Sequence, residues 1–330
     1  MTADPLFTTI RISTLIVCMA AAARSDYRTL HVRDTHWLWW AIPGTLILLF
    51  EVLSNSDNIA SICMVFALVA TFSSCFVSPP DPRNFKEWTR KETFIFVLYI
   101  LAISGITLGI KDNYDTNFID LILGEESPDR ILWWSLLGAL FTMGVYLTAW
   151  RLGVIQGGAD VKALILVTLY FPTWAYLPDQ MFHIDEDLVF GIPPSMALFV
   201  WAGAAFILAP PLIFINNIVM GNIESMSDLK MAWHATRKRL SEVENDNSWV
   251  LTELVDHENG PRVVNRILPS KKSSSSKYSH SGSRSAEMEL LDEMGLETVW
   301  VARKHPFLVY LFLAIFPLVF FGDPIAPLII

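Results

Sequence analysis

The feature of this sequence that most constrains its fold is the grouping of its apolar residues into long blocks. A block of about 18 or more residues with few charges is long enough to cross the roughly 30 Å hydrocarbon layer of a membrane as a helix. We expect each block to be helical, because an unpaired backbone in lipid is costly. The eight candidate spans are 6–23, 36–53, 58–77, 93–110, 131–150, 161–178, 195–220 and 306–322.

The composition favours the same fold class, an all-α, polytopic integral membrane protein. Hydrophobic residues make up 53% of the chain, whereas soluble domains are nearer about 45–50% apolar. The chain has no basic domain that would suggest a nucleic acid as partner. The histidines lack metal-ligand spacing, so we expect no metal site. Cys18, Cys63 and Cys75 lie in apolar segments without a CxxC pair, which predicts buried thiols.

The distribution of lysine and arginine among the loops predicts their orientation in a cell membrane. The first, third and fifth loops are basic, whereas the second and sixth have no basic residue. Because basic loops stay in the cytoplasm, both termini are predicted to lie outside. The basic residues concerned are Arg24, Arg28, Arg33, Arg83, Lys86, Arg90, Lys91, Arg151 and Lys162.

A long hydrophilic stretch near the C-terminus predicts three regions. Residues 1–220 hold the first seven spans, residues 221–304 form a cytoplasmic insert, and residues 305–330 hold the last span. The insert begins with "SDLKMAWHATRKRLSEVENDN", which has helical character. Its middle, "PSKKSSSSKYSHSGSRS", is of low complexity and has nothing to bury, which is typical of a disordered loop. We therefore expect a small, partly ordered insert.

Two carboxylates lie at the ends of predicted spans, on the same predicted face of the membrane. Asp26 follows the first span in "SDYRTLHVRD", and Asp160 precedes the sixth in "GVIQGGADVK". Each has a structural interpretation, Asp160 as a helix N-cap and Asp26 as a solvated loop residue. If the two lie close together, one keeps a proton, and the pair can act as base and acid. Gly157 and Gly158 would let a substrate backbone or an opposing helix approach Asp160 closely.

Four segments carry a resemblance to a known family. The segment "GGADVK" resembles the motif of GxGD-type intramembrane aspartyl proteases in its archaeal variant, with Gly157, Ala159 and Asp160 at the motif positions. The segment "SDYRTLHVRD" resembles the family's first-aspartate segment. The segments "PLIFINNIVMGN" and "VWVARKHPFLVYLFLAIFPLVFFGD" are similar to those of archaeal preflagellin and prepilin peptidases.

The resemblance implies a membrane aspartyl endopeptidase that removes class III signal peptides from type IV pilin-like or archaellin precursors at the cytoplasmic face. It implies that Asp26 and Asp160 are the catalytic pair, that Gly157 and Gly158 shape the site, and that water attacks the peptide without metal or cofactor. The chain departs from bacterial relatives in lacking their CxxC pairs. We therefore expect no zinc and no methyltransferase activity.

Two alternatives stay open. A signal-peptide-peptidase-like or presenilin-like protease would carry YD, GxGD and PAL motifs, whereas this chain has SD and closes with "PLII". A non-enzymatic transporter or assembly scaffold would make the two aspartates simple helix caps. Inverted repeats or charges deep in the membrane would favour it, and Arg11 within the first span is a charge that the sequence does not place.

The remaining charged residues receive structural interpretations. Lys162 is expected to meet lipid headgroups rather than to bias the pKa of Asp160, and Glu51 is expected to reach water at the end of the second span. The acids Asp34, Asp81 and Glu87 are expected to form a solvated cytoplasmic face. Asp323, in a second Gly-Asp step, is expected to mark a helix end.

Overall fold

The computed structural model describes residues 4–83, 88–181, 192–243, 248–257, 260–267, 291–303 and 306–325. Most of these residues are helical, as predicted. The longer helices are α1 (Pro5–Thr29), α2 (Asp34–Asn55), α3 (Ile59–Ser73), α4 (Arg90–Asp112), α6 (Pro128–Arg151), α7 (Gly158–Tyr170), α8 (Pro194–Val219) and α11 (Phe307–Phe321). The short ones are α5 (Phe118–Ile122), α9 (Asp228–Met231) and α10 (Leu240–Val243).

Five of the helices in these described ranges, α1, α2, α4, α6 and α8, are long and apolar enough to cross a membrane. The other three predicted spans contain the shorter helices α3, α7 and α11, of 15, 13 and 15 residues. Helix α7 ends at Tyr170 because Pro172 follows closely, and the residue before a proline disfavours the helical conformation. At about 1.5 Å per residue, α7 is only about 20 Å long.

The chain divides into two compact units, 1–205 with 306–330 and 206–305. The predicted insert, 221–304, lies within the second. At the centre of the first unit, α7 packs against α1, α2, α3, α6 and α11. Its residues from Ala163 to Tyr170 are all buried, because a helix that is apolar on every side is stable only when it is surrounded.

Helix α4 packs closely on its neighbours because two of its positions are glycine. A Cβ on Gly105 would lie 2.8 Å from the carbonyl carbon of Cys63 on α3. The same glycine accepts a hydrogen bond at its carbonyl from the indole N–H of Trp133 on α6, at 3.2 Å. One turn later, a Cβ on Gly109 would overlap the Trp133 ring. Small residues that let helices approach in this way are typical of membrane bundles.

We expect Gly109→Ala to destabilise the first unit by about 1–3 kcal/mol, because the fully buried Trp133 ring has to move to admit a methyl group. The matched control is Gly138→Ala on α6, where a Cβ meets nothing within 4 Å. That change should be neutral or slightly stabilising. Unfolding of the detergent-solubilised protein by heat measures the difference, and equal midpoints for the two variants would contradict the prediction.

The second unit contains short strands, which the sequence did not predict. They are β1 (Thr236–Arg239), β2 (Ser248–Val250), β3 (Thr252–His257), β4 (Gly260–Asn265) and β5 (Thr298–Arg303). Strand β5 lies between β1 and β2 in an antiparallel sheet, and β3 pairs with β4. The predicted helical character of residues 227–247 is therefore wrong over β1. The Ser-rich segment lies outside the described residues.

Burial on both sides explains strand β5. Val299 and Val301 belong to one buried cluster, and Trp300 and Ala302 to another. Alternation between two apolar faces with β-branched residues favours a strand. Strand β1 owes its conformation to pairing with β5, since its own sequence, "TRKR", has no apolar side chain.

Candidate active site

Asp26 lies in the last turn of α1. Its backbone carbonyl accepts the N–H of Leu30 at 2.8 Å, and Leu30 ends the helix in the left-handed conformation. The Asp26 side chain faces inward, and the residue is only 9% exposed. The interpretation of Asp26 as a solvated loop residue is therefore wrong.

Asp160 lies in the first turn of α7, where the two glycines start the helix. The N-cap is Gly157, and no side chain makes a capping hydrogen bond there. The interpretation of Asp160 as an N-cap is therefore wrong as well. The carboxylate is left half-buried at the third position of the helix.

The two aspartates lie on helices that pack together, α1 and α7. They lie close enough for an electrostatic interaction between the two carboxylates. Among the described residues, no hydrogen bond occupies either carboxylate. Two carboxylates that approach each other do not both ionise easily, and a single shared proton then serves the pair. Such a pair offers a base and an acid side by side.

The two glycines before Asp160 have different surroundings. A Cβ on Gly157 would overlap the carboxylate of Asp160, whereas a Cβ on Gly158 would lie 3.0 Å from the Trp150 ring. Gly157 therefore makes room for the carboxylate itself. Gly158 makes room for an aromatic ring of α6, which packs on the turn.

Lys162 does not face lipid headgroups, so that interpretation is wrong. Its ammonium lies 2.6 Å from Oδ1 of Asp34, at the start of α2, and its side chain is only 12% exposed. Sequence reasoning missed this pair, because the two residues are far apart in the chain. Of the other acids, Asp81 accepts the backbone N–H of Arg83 at 2.9 Å, and Glu87 lies outside the described residues.

Arg11 has a partner that the sequence did not reveal. It forms an ion pair with Glu51 of α2, and the two side chains are 0% and 2% exposed. The Arg11 guanidinium also lies over the Tyr176 ring, 4.2 Å from its centroid. The expectation that Glu51 reaches water is therefore wrong. Along α1 this pair is about 22 Å from Asp26, at about 1.5 Å per residue.

Two further sequence predictions are confirmed. The thiols of Cys18, Cys63 and Cys75 are buried and free. Asp323 follows the end of α11 at Gly322 and accepts the N–H of Ile325 at 2.8 Å. In the part of the chain that the structure describes, no group of three or more His, Cys, Asp or Glu residues could hold a metal ion.

Comparison of the chain with known families gives no further guide to its function. No family model matches it, and no curated protein matches it. A function is therefore inferred from the residue patterns and from the geometry around Asp26 and Asp160.

Proposed function

We propose that this chain is a membrane aspartyl endopeptidase with Asp26 and Asp160 as its catalytic pair. One observation carries the proposal, namely that two carboxylates from different helices lie within electrostatic reach of each other without hydrogen-bond partners among the described residues. The resemblance to preflagellin and prepilin peptidases supports the substrate class. These substrates are type IV pilin-like or archaellin precursors with a short basic leader.

The reaction needs only the two carboxylates and a water molecule. The ionised carboxylate takes a proton from water, and the resulting hydroxide attacks the peptide carbonyl carbon. The protonated carboxylate gives its proton to the carbonyl oxygen, which yields a neutral tetrahedral intermediate. Collapse of the intermediate breaks the C–N bond: the first carboxylate passes its proton to the leaving nitrogen, and the second takes a proton from a hydroxyl of the intermediate. The products are a carboxylic acid and an amine, and the pair returns to its starting state. No covalent bond to the enzyme forms.

We further propose eight spans, with α3, α7 and α11 crossing the membrane in addition to the five longer helices. Both aspartates then lie near the cytoplasmic face, beside the basic loops that are expected to stay there. A precursor whose leader ends just before its hydrophobic helix would present the scissile bond at this depth. The cell membrane is the proposed location.

The alternative function is a non-enzymatic transporter or assembly scaffold. The buried pair of Arg11 and Glu51 favours it, because ionisable residues inside a membrane often mark a transport pathway. That alternative also needs the aspartates to be helix caps. Asp160 is not a cap, since Gly157 holds that position.

A cleavage assay tests the proposal. Membranes containing the chain would be incubated with a pilin-like precursor that carries a basic leader, and the products would be sequenced. Cleavage at the end of the leader by the wild type, and its loss in Asp26→Asn and Asp160→Asn at equal membrane abundance, is the expected result. Absence of cleavage by the wild type across several such precursors would overturn the proposal.

Gly157→Ala is expected to lower the cleavage rate by about a hundredfold, because a displacement of about 1 Å at a reacting group has an effect of that size. The methyl group would overlap the Asp160 carboxylate and displace it from its present position. Gly158→Ala is the matched control, since its methyl group meets only the edge of Trp150 and should reduce the rate severalfold at most. Initial rates at equal abundance measure both, and equal losses would contradict a specific role for Gly157.

A further inference from the structure

Lys162 contacts neighbouring helices from the first turns of α7, on the side of the helix opposite Asp160. Side chains two positions apart on a helix point in directions about 200° apart. Lys162 therefore faces away from the carboxylate pair. Its ammonium contacts Asp34 at 2.6 Å and lies 4.9 Å from the Phe76 ring centroid and 5.8 Å from the Trp150 ring centroid. One side chain therefore joins α7 to the start of α2, the chain after α3 and the end of α6.

The position of Lys162 is not explained by solvation or by helix preference. A cation near a helix N-terminus is unfavourable, because that end carries a partial positive charge. An ammonium is also strongly hydrated, yet this side chain is 12% exposed. Asp34 is 60% exposed, and an ion pair with an exposed partner contributes little to stability, at most about 1 kcal/mol. The contact therefore fits a role in positioning α7 better than a role in stabilising the fold.

The rest of α7 makes its directional side-chain contacts at the end far from Asp160. Its segment "ALILVTLY" is apolar except for Thr168 and Tyr170, and apolar contacts are non-directional. At the far end, the Thr168 hydroxyl hydrogen-bonds Ser195 Oγ at 2.8 Å, and the Tyr170 hydroxyl donates to the Trp40 carbonyl at 2.7 Å. At the near end, the directional side-chain contact found among the described residues is the one between Lys162 and Asp34.

We propose that Lys162 and Asp34 are positioning residues that fix the rotation of the first turn of α7 and thereby hold Asp160 against Asp26. The inference rests on the proposed function. Neither residue touches the reacting atoms. Their effect is on the placement of Asp160, to which a hydrolytic reaction is steeply sensitive.

The kinetic test uses the full chain in membranes. Lys162→Met and Asp34→Asn should each lower kcat by about tenfold to a hundredfold, with KM changed by about twofold or less. Lys162→Arg should keep most of the activity, because a guanidinium also pairs with a carboxylate and stacks on aromatic rings. The double variant should be no slower than Lys162→Met alone. Lys91→Met, an exposed lysine of α4, is the matched control and should match the wild type.

A cross-linking test reports the geometry without cleavage. Cysteines would replace Asp26 and Asp160 and be joined by a short bifunctional thiol reagent, with each single replacement as a control. The cross-link yield should fall severalfold when Lys162→Met is added and should be retained with Lys162→Arg. An unchanged yield with Lys162→Met overturns the positioning role whatever the cleavage result. A fall in yield, together with no cleavage of any precursor by the wild-type chain, supports the positioning role and shows that the proposed function fails.

Two kinetic outcomes also overturn the inference. A rise in KM with unchanged kcat would mean that Lys162 binds the substrate directly. Multiplicative losses in the double variant would mean that Lys162 and Asp34 act independently.

Discussion

Asp26→Asn and Asp160→Asn are each expected to slow precursor cleavage by at least about a thousandfold, and the double variant to be no slower than either. Each amide keeps the shape of the carboxylate but can neither accept a proton from water nor share one with its neighbour. A thousandfold loss is about 4 kcal/mol of transition-state stabilisation. Because the two groups act as a unit, the loss of one already removes what both supply.

The control for this prediction is Asp323→Asn, at the second Gly-Asp step. Asp323 is buried, and its carboxylate accepts the backbone N–H of Ile325 at the end of α11. Its replacement should leave the cleavage rate within a few-fold of the wild type. Initial rates with one precursor, normalised to membrane abundance, measure all four variants. A double variant about a millionfold slower than the wild type would show that the two aspartates act independently, which contradicts a shared mechanism.

Glu51→Gln and Arg11→Met are each expected to destabilise the first unit by about 3–5 kcal/mol, because either change leaves a buried charge without its partner. The double variant Arg11→Met/Glu51→Met should lie much closer to the wild type. Two apolar side chains of similar volume often replace a buried ion pair without loss of stability. Denaturant titration of the purified protein in detergent, followed by a spectroscopic signal of folding, measures the three midpoints.

The pair of Arg130 and Asp115, in which Arg130 also contacts Glu126 at 3.2 Å, is the more exposed control for the buried pair. Its atoms are 2.9 Å apart, but the two side chains are 29% and 53% exposed. Asp115→Asn should therefore cost about 1 kcal/mol or less. If Glu51→Gln cost no more than Asp115→Asn, the ion pair at Arg11 would not be desolvated. If the double variant Arg11→Met/Glu51→Met were as unstable as the single variants, the loss of stability would come from packing rather than from an unpaired charge.

Much of the helical unit could be predicted from the sequence, because the property that forms a helix in a membrane is local. The apolar blocks located the helices, and the glycines before Asp160 indicated a helix start. The predicted span 161–178 ran past the end of α7, although Pro172 is a local signal that ends the helix at Tyr170. The strands of the second unit also escaped prediction. Strand β1, "TRKR", is a strand only because β5 pairs with it from about sixty residues further along the chain.

The sequence by itself determined the class of protein, the positions of Asp26 and Asp160, and the pattern of basic loops, since these follow from composition and from neighbours in the chain. Only the tertiary structure decided that the helices of the two aspartates pack together, that Lys162 pairs with Asp34, and that Arg11 pairs with Glu51. The physical reason is that a charged side chain inside a bundle takes its partner from whichever helix lies beside it. That neighbour is set by the packing of all the helices together, and no local pattern records it.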